Sequence, residues 1–240
     1  MKINVLLSPH NVDELYYTGK NTIVIDVLRA SSVIVNALNN NAKEVIPVDS
    51  VDFALKVSGG AFSGQTLLGG ERNTKMIDGF NLGNSPEDYT EEIVSGKTVI
   101  LYTTNGSKAV VKAKYSENLI ICCFNNLKAI TDYIISLNQD FEILCSGASG
   151  KFCIEDTVCA GKIIESVSKK IPDVELSDSA SASLILNKSF SSVLTMLKEC
   201  EHGKKLIDNG FEKDIEFCSK MNTVDIIPFY NSGILKLIKQ

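Results

Sequence analysis

The chain has 240 residues, enough to bury a core as one large domain or two small ones. Hydrophobic residues make up 44% and charged residues 22%, as in globular proteins. The formal net charge of -5, without a basic face in the sequence, argues against nucleic-acid binding. No apolar run is long enough to cross a membrane, and the start of the chain is too short for the apolar region of a signal peptide, so we expect a cytoplasmic protein.

Seven cysteines are spread mostly through apolar strand and helix patterns. An odd number in such positions favours reduced, buried thiols. No two of them have the CxxC spacing, so zinc and thioredoxin-type sites have no support. The sequence has only two histidines, which excludes a histidine-rich metal site.

The first half of the chain predicts strands that alternate with helices. In chain order we predict strands 3–7 and 21–26, helix 33–38, strand 45–48, helix 51–58 and a short strand that ends at 67–68. Residues 81–86 are loop-like. Ser85, followed by Pro86 and two acidic residues, indicates the start of a further helix.

The second half continues the alternation. We predict strand 98–102, helix 108–114, strand 119–124, helix 127–137, strand 141–145 and a long amphipathic helix 154–168. Such alternation predicts an α/β fold with a mostly parallel (mixed) sheet and helices on both faces. Residues 172–219 predict a helical insertion that covers the core, with Gly203 and Gly210 between helices.

The two halves resemble each other at a nearly constant spacing. Thr22 and Thr98, each in a strand followed by a small polar loop and a helix, are 76 residues apart. Gly70 and Gly147, in a second pair of strand–loop units, are 77 residues apart. We therefore predict one duplicated α/β unit spanning 1–240, with intertwined repeats over about 1–95 and 96–170 and the insertion and a C-terminal strand over about 171–240. Because ligands bind beyond the carboxyl ends of parallel strands, the loops there are expected to form one site.

The first of these loops follows strand 21–26. An unpaired carboxylate at Asp26, at the end of a buried strand, is costly and needs a cation, a metal ion or hydrogen-bond donors. Arg29 can bind a phosphate or carboxylate through two N–H groups. Ser31 and Ser32 open a helix, whose free N–H groups bind anions. The loop predicts a metal and oxyanion site; the alternative is that Asp26 pairs with Arg29 while Ser31 only caps the helix.

The second loop places Glu71 and Arg72 behind two glycines, which let a backbone approach a ligand closely. The polar stretch after them, which includes Asn81, suits an ordered loop over a site. We predict catalytic roles for Glu71 and Arg72 and a substrate contact for Asn81. The alternative is a hairpin-like excursion at the surface.

The third loop has no acid but offers hydroxyl, amide and helix N–H donors from Thr103, Thr104, Asn105, Gly106 and Ser107. These are the donors that phosphate or sulfonate oxygens require. We predict that the loop binds substrate. The alternative is an ordinary helix cap.

The fourth loop is built from small residues with a basic end, and we predict that it too binds substrate. Its candidate contacts are Gly147, Ala148, Ser149, Gly150 and Lys151. Glu155 and Asp156 follow at the start of the long helix. They are predicted metal ligands, or they only interact favourably with the helix dipole.

Together the predicted metal ligands are Asp26, Glu71, Glu155 and Asp156. Oxygen ligands without histidine suit Mg²⁺. A hard cation beside anion-binding groups is typical of phosphoryl transfer to water.

Four segments in order carry a more specific signal: VIDVLRASS, GGERN with KMIDGFNLGNSPEDY, TTNGSKA and SGASGKFCIEDTVCAGKII. Together they resemble 2-phosphosulfolactate phosphatase, and the resemblance continues to Asp225 and Pro228, essentially the whole chain. It implies a Mg²⁺-dependent acid phosphatase that converts 2-phosphosulfolactate to sulfolactate and phosphate, a step of coenzyme M synthesis. It also implies a duplicated α/β fold with the site between the repeats.

On this basis Mg²⁺ is held by two or more of the four carboxylates, and Arg29 and Arg72 stabilise the developing charge. The third and fourth loops hold the remaining anionic groups, one of them the sulfonate. Asp26 orients the attacking water, or instead forms an aspartyl-phosphate. The expected partner is a small anionic phosphate ester, with a homodimer left open. Two other functions stay open: an isochorismatase-type hydrolase with Cys145 as nucleophile, and a small-anion-binding protein without turnover.

Overall fold

Strands and helices alternate along the chain in the computed structural model, which describes residues 1–59 and 65–238. Within those residues the strands are β1 (Lys2–Leu6), β2 (Asn21–Ile25), β3 (Glu44–Val48), β4 (Thr66–Arg72), β5 (Lys75–Met76), β6 (Thr98–Tyr102), β7 (Asn118–Cys122), β8 (Phe141–Cys145), β9 (Glu175–Leu176), β10 (Pro228–Asn231) and β11 (Ile234–Leu237).

The α-helices of the same residues are α1 (Ala30–Asn39), α2 (Val51–Ser58), α3 (Glu91–Val94), α4 (Gly106–Lys112), α5 (Leu127–Leu137), α6 (Ile154–Lys170), α7 (Asp178–Lys188), α8 (Val193–Glu199), α9 (Glu201–Asp208) and α10 (Glu212–Ser219). Short 3-10 helices cover Pro9–Asn11, Glu14–Tyr17, Pro86–Asp88 and Phe124–Asn126. No helix of the described chain is both long and apolar enough to span a membrane.

The strands form one sheet in the order β5-β4-β6-β3-β11-β10-β7-β2-β8-β1-β9. Two parallel groups, β4-β6-β3 and β7-β2-β8-β1-β9, make up most of it. The antiparallel hairpin β10–β11 joins them. Its turn consists of Ser232 and Gly233, which both have positive φ, as a two-residue type I′ turn requires.

Helices α1 and α4 pack between the two parallel groups. One core cluster contains Val24 of β2 and Val99 of β6 together with Ile34 of α1 and Val110 of α4. The other face of β2 packs against α5, α6 and the C-terminal helices, and the other face of β6 packs near α2. Both strands are buried at all five residues because helices cover both of their faces. The predicted α/β fold with helices on both faces is confirmed.

Strands from each half of the chain pair with strands from the other half. Strand β2 lies between β7 and β8, and β6 lies between β3 and β4. The registers correspond as well, since Ile23 pairs with Ile120 and Val99 pairs with Val45. Two intertwined repeats would produce this arrangement. The duplication and its boundaries stay a prediction.

Local structure differs from the predictions at three places. Strand β4 continues through both glycines to Arg72 and forms a hairpin with β5, where a loop was predicted over 69–73. The helix start at Ser85 leads only to the 3-10 helix Pro86–Asp88, and the Ser85 hydroxyl donates to Asp214 instead of capping the helix. Gly203 lies buried inside α9, not between helices. Any other residue at this position would carry a Cβ that overlaps the Leu197 carbonyl oxygen, which favours glycine there.

Candidate active site

A cavity of about 360 Å³ lies where the loops after β2, β6 and β8 meet the β4–β5 hairpin and helix α9. Its volume falls in the range of about 300–1,000 Å³ that is common for small-molecule sites. Its lining residues are Asp26, Leu28, Arg29, Glu71, Asn73, Thr74, Asn84, Thr103, Thr104, Asn105, Ala148, Ser149, Lys151, Phe152, Cys153, Ile154, Glu155, Glu201, His202 and Lys205.

The structure brings together ten of the residues that the sequence analysis singled out. They are Asp26, Arg29, Glu71, Thr103, Thr104, Asn105, Ala148, Ser149, Lys151 and Glu155. Nine others do not line this cavity: Ser31, Ser32, Arg72, Asn81, Gly106, Ser107, Gly147, Gly150 and Asp156. The side chains of Arg72 and Asn81 are exposed, and Asn81 accepts the Leu68 N–H at 2.8 Å, so it supports β4.

Asp26 stands at the end of β2 with its carboxylate buried. Its Oδ1 accepts the Ala30 N–H at 3.2 Å. Burial raises the pKa of Asp26 to about 6, and the charge of Glu71 adds to that rise. The charge of His202, the Ala30 N–H and the Ser146 hydroxyl act in the opposite direction. A carboxyl group with such a pKa exchanges a proton near the pH at which enzymes work.

Serine hydroxyls close the first and third loops in the same manner. The Asp26 N–H donates to Ser31 Oγ at 2.9 Å, and the Thr103 N–H donates to Ser107 Oγ at 2.8 Å. Ser32 donates to the Val27 carbonyl at 3.0 Å. These buried hydroxyls therefore hold the backbone of the loops, which is why they do not face the cavity.

Arg29 is buried and already has partners. It forms an ion pair with Asp214 of α10, donates to the Thr74 carbonyl at 2.9 Å and stacks over the Phe211 ring at 4.3 Å. The alternative of an Asp26–Arg29 pair is not what the structure shows. Arg29 still lines the cavity, but Asp214 neutralises its charge.

Glu71 is oriented by two backbone donors. Its Oε2 accepts the Thr74 N–H and its Oε1 accepts the Thr104 N–H, both at 2.8 Å. Thr74 lies in the hairpin turn, where it and Asn73 have positive φ. The second loop is thus a hairpin, the alternative given in the sequence analysis for residues 69–73. This hairpin also places Glu71 in the cavity.

Three buried polar atoms on this side of the cavity have no hydrogen-bond partner. They are Thr74 Oγ1, Asn84 Oδ1 and Thr104 Oγ1, half of the six such atoms found among the described residues. Buried polar groups are nearly always hydrogen-bonded in folded proteins. Their clustering next to Glu71 and Arg29 indicates that a polar ligand completes this part of the site.

The fourth loop is held by Asp156, whose carboxylate points away from the cavity. Its Oδ1 accepts the Val27 N–H at 2.9 Å, and its Oδ2 accepts the Gly147 N–H and the Ser146 hydroxyl, both at 3.1 Å. The carboxylate therefore fastens the first loop to the fourth. Burial, followed by the charges of Asp26 and Glu155, raises the pKa of Asp156 well above its usual value.

Helix α9 supplies cavity residues that the sequence analysis did not assign to the site. His202 Nδ1 lies 3.2 Å from Glu155 Oε1, and Lys205 follows one helical turn later. Burial acts to raise the pKa of Glu155, but the hydrogen bond and charge of His202 outweigh it, so that this pKa is lowered. From the sequence, His202 and Gly203 form either a turn after a helix or a lid contact, and no local signal links His202 to an acid 47 residues away.

Within residues 1–59 and 65–238, no group of three or more His, Cys, Asp or Glu side chains is arranged to hold a metal ion. Asp26, Glu71 and Glu155 nevertheless line the same cavity. Cys145 is fully buried, and burial raises the pKa of its thiol well above the usual value. A thiol in that state is a poor nucleophile.

The fold and the cavity define an α/β protein whose candidate site combines acidic side chains with arginine and lysine side chains. Residues 6–233 match the family model described as 2-phosphosulpholactate phosphatase. By class, the chain is therefore a member of a phosphatase family.

Individual relatives agree. A protein of Clostridium acetobutylicum named probable 2-phosphosulfolactate phosphatase is 37% identical over 233 residues, which cover 97% of this chain and 99% of the relative. Proteins with the same name from Clostridium tetani (38% identity, 98% of this chain and 100% of the relative) and Caldanaerobacter subterraneus subsp. tengcongensis (42% identity, 90% of each) are also similar. The chain belongs to the 2-phosphosulfolactate phosphatase family, as the four sequence segments predicted.

Proposed function

We propose that the chain hydrolyses 2-phosphosulfolactate to sulfolactate and phosphate with the help of Mg²⁺, as a step of coenzyme M biosynthesis. Membership of the family supports the substrate, and the cavity supports the reaction class. The observation that carries the proposal is the cluster of unpartnered polar atoms of Thr74, Asn84 and Thr104 beside Glu71 and Arg29. Phosphate oxygens accept from hydroxyl donors and lie well beside a guanidinium.

The cavity fits Mg²⁺ by its chemistry. This ion is usually held by one or two carboxylates together with water and substrate phosphate oxygens, so a cage of three acids is not needed. Asp26 and Glu71 are the two carboxylates we assign to it, and the unpartnered Oδ1 of Asn84 is a further oxygen donor. Glu155 is paired with His202 and Asp156 with backbone N–H groups, so they are weaker candidates. When bound, the ion would withdraw charge from the phosphate oxygens.

The protein residues have distinct roles in the proposed reaction. The backbone donors on Glu71 keep its carboxylate in one orientation. Asp26, at the end of β2, orients the attacking water beside the ion. Thr74, Thr104 and the remaining N–H groups of Arg29 donate to the phosphoryl oxygens as charge develops on them. An attack by Asp26 itself, giving an aspartyl-phosphate, is the competing route.

The other two functions receive less support. An isochorismatase-type reaction needs an accessible thiolate, whereas Cys145 is fully buried. A receptor for anions gains nothing from Asp26, Glu71 and Glu155 in its site, because carboxylates repel the ligand. The cytoplasmic location and the homodimer stay predictions.

The test is a phosphate-release assay with 2-phosphosulfolactate, 2-phospholactate and 2-phosphoglycerate, with and without EDTA. We expect the highest kcat/KM with 2-phosphosulfolactate, loss of activity with EDTA and recovery with added Mg²⁺. Turnover that persists after exhaustive chelation would contradict the metal requirement. No phosphate release from any of the three esters would contradict the phosphatase reaction.

A further inference from the structure

Two lysine side chains line the cavity without a carboxylate partner. Lys151 comes from the fourth loop, and Lys205 comes from α9 in the C-terminal helical segment. In the part of the chain that the structure describes, neither ammonium nitrogen lies within 4.0 Å of an acidic oxygen. Glu201 has the i,i+4 spacing to Lys205 that permits a helix ion pair, yet the two do not form one.

These lysines differ from Arg29, another positively charged side chain that lines the cavity. Arg29 is neutralised by Asp214, and it belongs to the group of contacts around Thr74. Lys151 and Lys205 belong instead to the elements that bring Ser149 and His202 into the cavity. The cavity thus has unpartnered polar atoms beside a paired arginine and, in addition, two lysines without an ion-pair partner.

We propose, on the basis of the proposed function, that Lys151 and Lys205 bind the sulfonate of 2-phosphosulfolactate. These contacts would select this ester over esters that lack a sulfonate. The substrate carries three anionic groups, of which only the phosphoryl group reacts. Placing that group at Glu71, Thr74 and Thr104 leaves the two unpaired lysines for the sulfonate. The sulfonate is ionised at every physiological pH, and its three oxygens are equivalent. Two ammonium groups, which act as point charges with rotatable donors, can pair with such a group.

The arrangement also explains why the selecting residue lies outside the α/β core. Lys205 follows His202 by one turn, so the same helix that contacts Glu155 presents the lysine to the cavity. Lys204, its neighbour on α9, is exposed and does not line the cavity. It is a matched control with the same charge, helix and solvent exposure.

The experiment compares Lys205→Met, Lys151→Met, Lys205→Arg and the control Lys204→Met by steady-state kinetics on 2-phosphosulfolactate and 2-phospholactate. These two esters differ only by the sulfonate. For each methionine variant in the cavity we expect KM for 2-phosphosulfolactate to rise about tenfold or more with kcat unchanged, since a charge-assisted contact is lost. Kinetics on 2-phospholactate should stay as in the wild type, Lys205→Arg should recover most of the affinity, and Lys204→Met should change nothing.

A second readout does not depend on turnover. Calorimetric titration of sulfolactate and of lactate into the same variants should show weaker binding of sulfolactate alone. Equal effects on both esters, or no effect on either, would overturn the sulfonate site. Wild-type enzyme that hydrolyses both esters equally well would leave the phosphatase reaction standing and overturn the selection. Wild-type enzyme that hydrolyses neither would overturn the proposed function and this inference with it.

Discussion

Asp26 is the residue whose ionisation couples the stability of the protein most directly to its site. The residue is 6% exposed, and burial raises the pKa of its carboxyl group from 3.8 to about 6. The ionised form is therefore disfavoured in the folded protein relative to the unfolded chain. Function at neutral pH then requires that the fold tolerate a buried charge until a ligand compensates it.

The first prediction follows from the direction of this pKa shift. Because the folded-state pKa of Asp26 is raised, its contribution to stability is complete below pH 3.8 and is lost as the pH rises through about 6. Relative to Asp26→Asn, the free energy of unfolding of the metal-free wild type should fall by about 3 kcal/mol across that interval. Urea denaturation of both proteins at several pH values measures the difference. A difference that does not vary with pH would contradict the raised pKa.

The second prediction concerns turnover of 2-phosphosulfolactate. Asp26→Asn and Glu71→Gln should each remove about 2 kcal/mol or more of transition-state stabilisation, measured as a lower kcat/KM, because the proposed function assigns both carboxylates to the Mg²⁺ ion. The exposed acids Asp52 and Glu92, changed to Asn and Gln, serve as controls and should behave as the wild type. Near-normal turnover in both cavity variants would remove these residues from the mechanism.

At the scale of elements, the beginnings of α1 and α4 are packed against each other at the site. Gly106 opens α4 directly beside the Asp26 carboxylate and Ala30, the first residue of α1. A Cβ at this position would overlap Asp26 Oδ2 and lie 2.5 Å from Ala30 Cβ. Glycine is needed here for close approach, since only its lack of a side chain lets the two helices share the space next to the carboxylate.

Gly106→Ala should therefore displace α4 from the cavity. We expect a loss of about 1–3 kcal/mol in the free energy of unfolding, as for other overpacked positions, and a lowered kcat/KM. Gly59→Ala is the matched control, because a Cβ there meets only the Leu55 carbonyl at 3.5 Å, an ordinary contact. Denaturation and phosphate-release assays on both variants measure the free energy of unfolding and kcat/KM. Equal values for the two variants would show that the structure around Gly106 accommodates a Cβ without loss of stability or activity.

At the scale of the whole molecule, one buried ion pair ties the C-terminal helices to the first loop. The side chains of Arg29 and Asp214 are 1% and 6% exposed. Ser85, at the start of the 3-10 helix Pro86–Asp88, also donates to Asp214 at 2.9 Å. Three distant parts of the chain thus meet at one carboxylate. Helix α9, which directly precedes α10 in the chain, carries His202 and Lys205 to the cavity.

Asp214→Asn should leave the Arg29 guanidinium buried without a counter-charge. We expect a loss of about 3 kcal/mol or more in the free energy of unfolding, measured by urea denaturation. Glu212→Gln, on the same helix as Asp214, breaks only the exposed ion pair between Glu212 and Lys198 of α8 and should have little effect. A similar effect of both substitutions would show that the Arg29–Asp214 pair does not hold the C-terminal helices in place.

Much of the site could be predicted because its residues lie at the ends of strands. Asp26, Thr103 and Ser149 follow β2, β6 and β8, and polar side chains after parallel strands converge at the edge of a sheet. The same argument could not tell which side chains face the ligand. Ser31 and Ser107 turn inward to bond their own loops, and Asp156 bonds backbone N–H groups. These orientations depend on partners that no local pattern reveals.

The sequence by itself determined the alternation of strands and helices, the α/β class and the family, because these depend on local periodicity and on four ordered segments. Only the tertiary structure decided that Arg29 pairs with Asp214, 185 residues away, and that α9 brings His202 and Lys205 to the cavity. The physical reason is that such contacts join side chains far apart in the chain, and their energy depends on burial and distance, which arise only once the sheet and its covering helices have packed together.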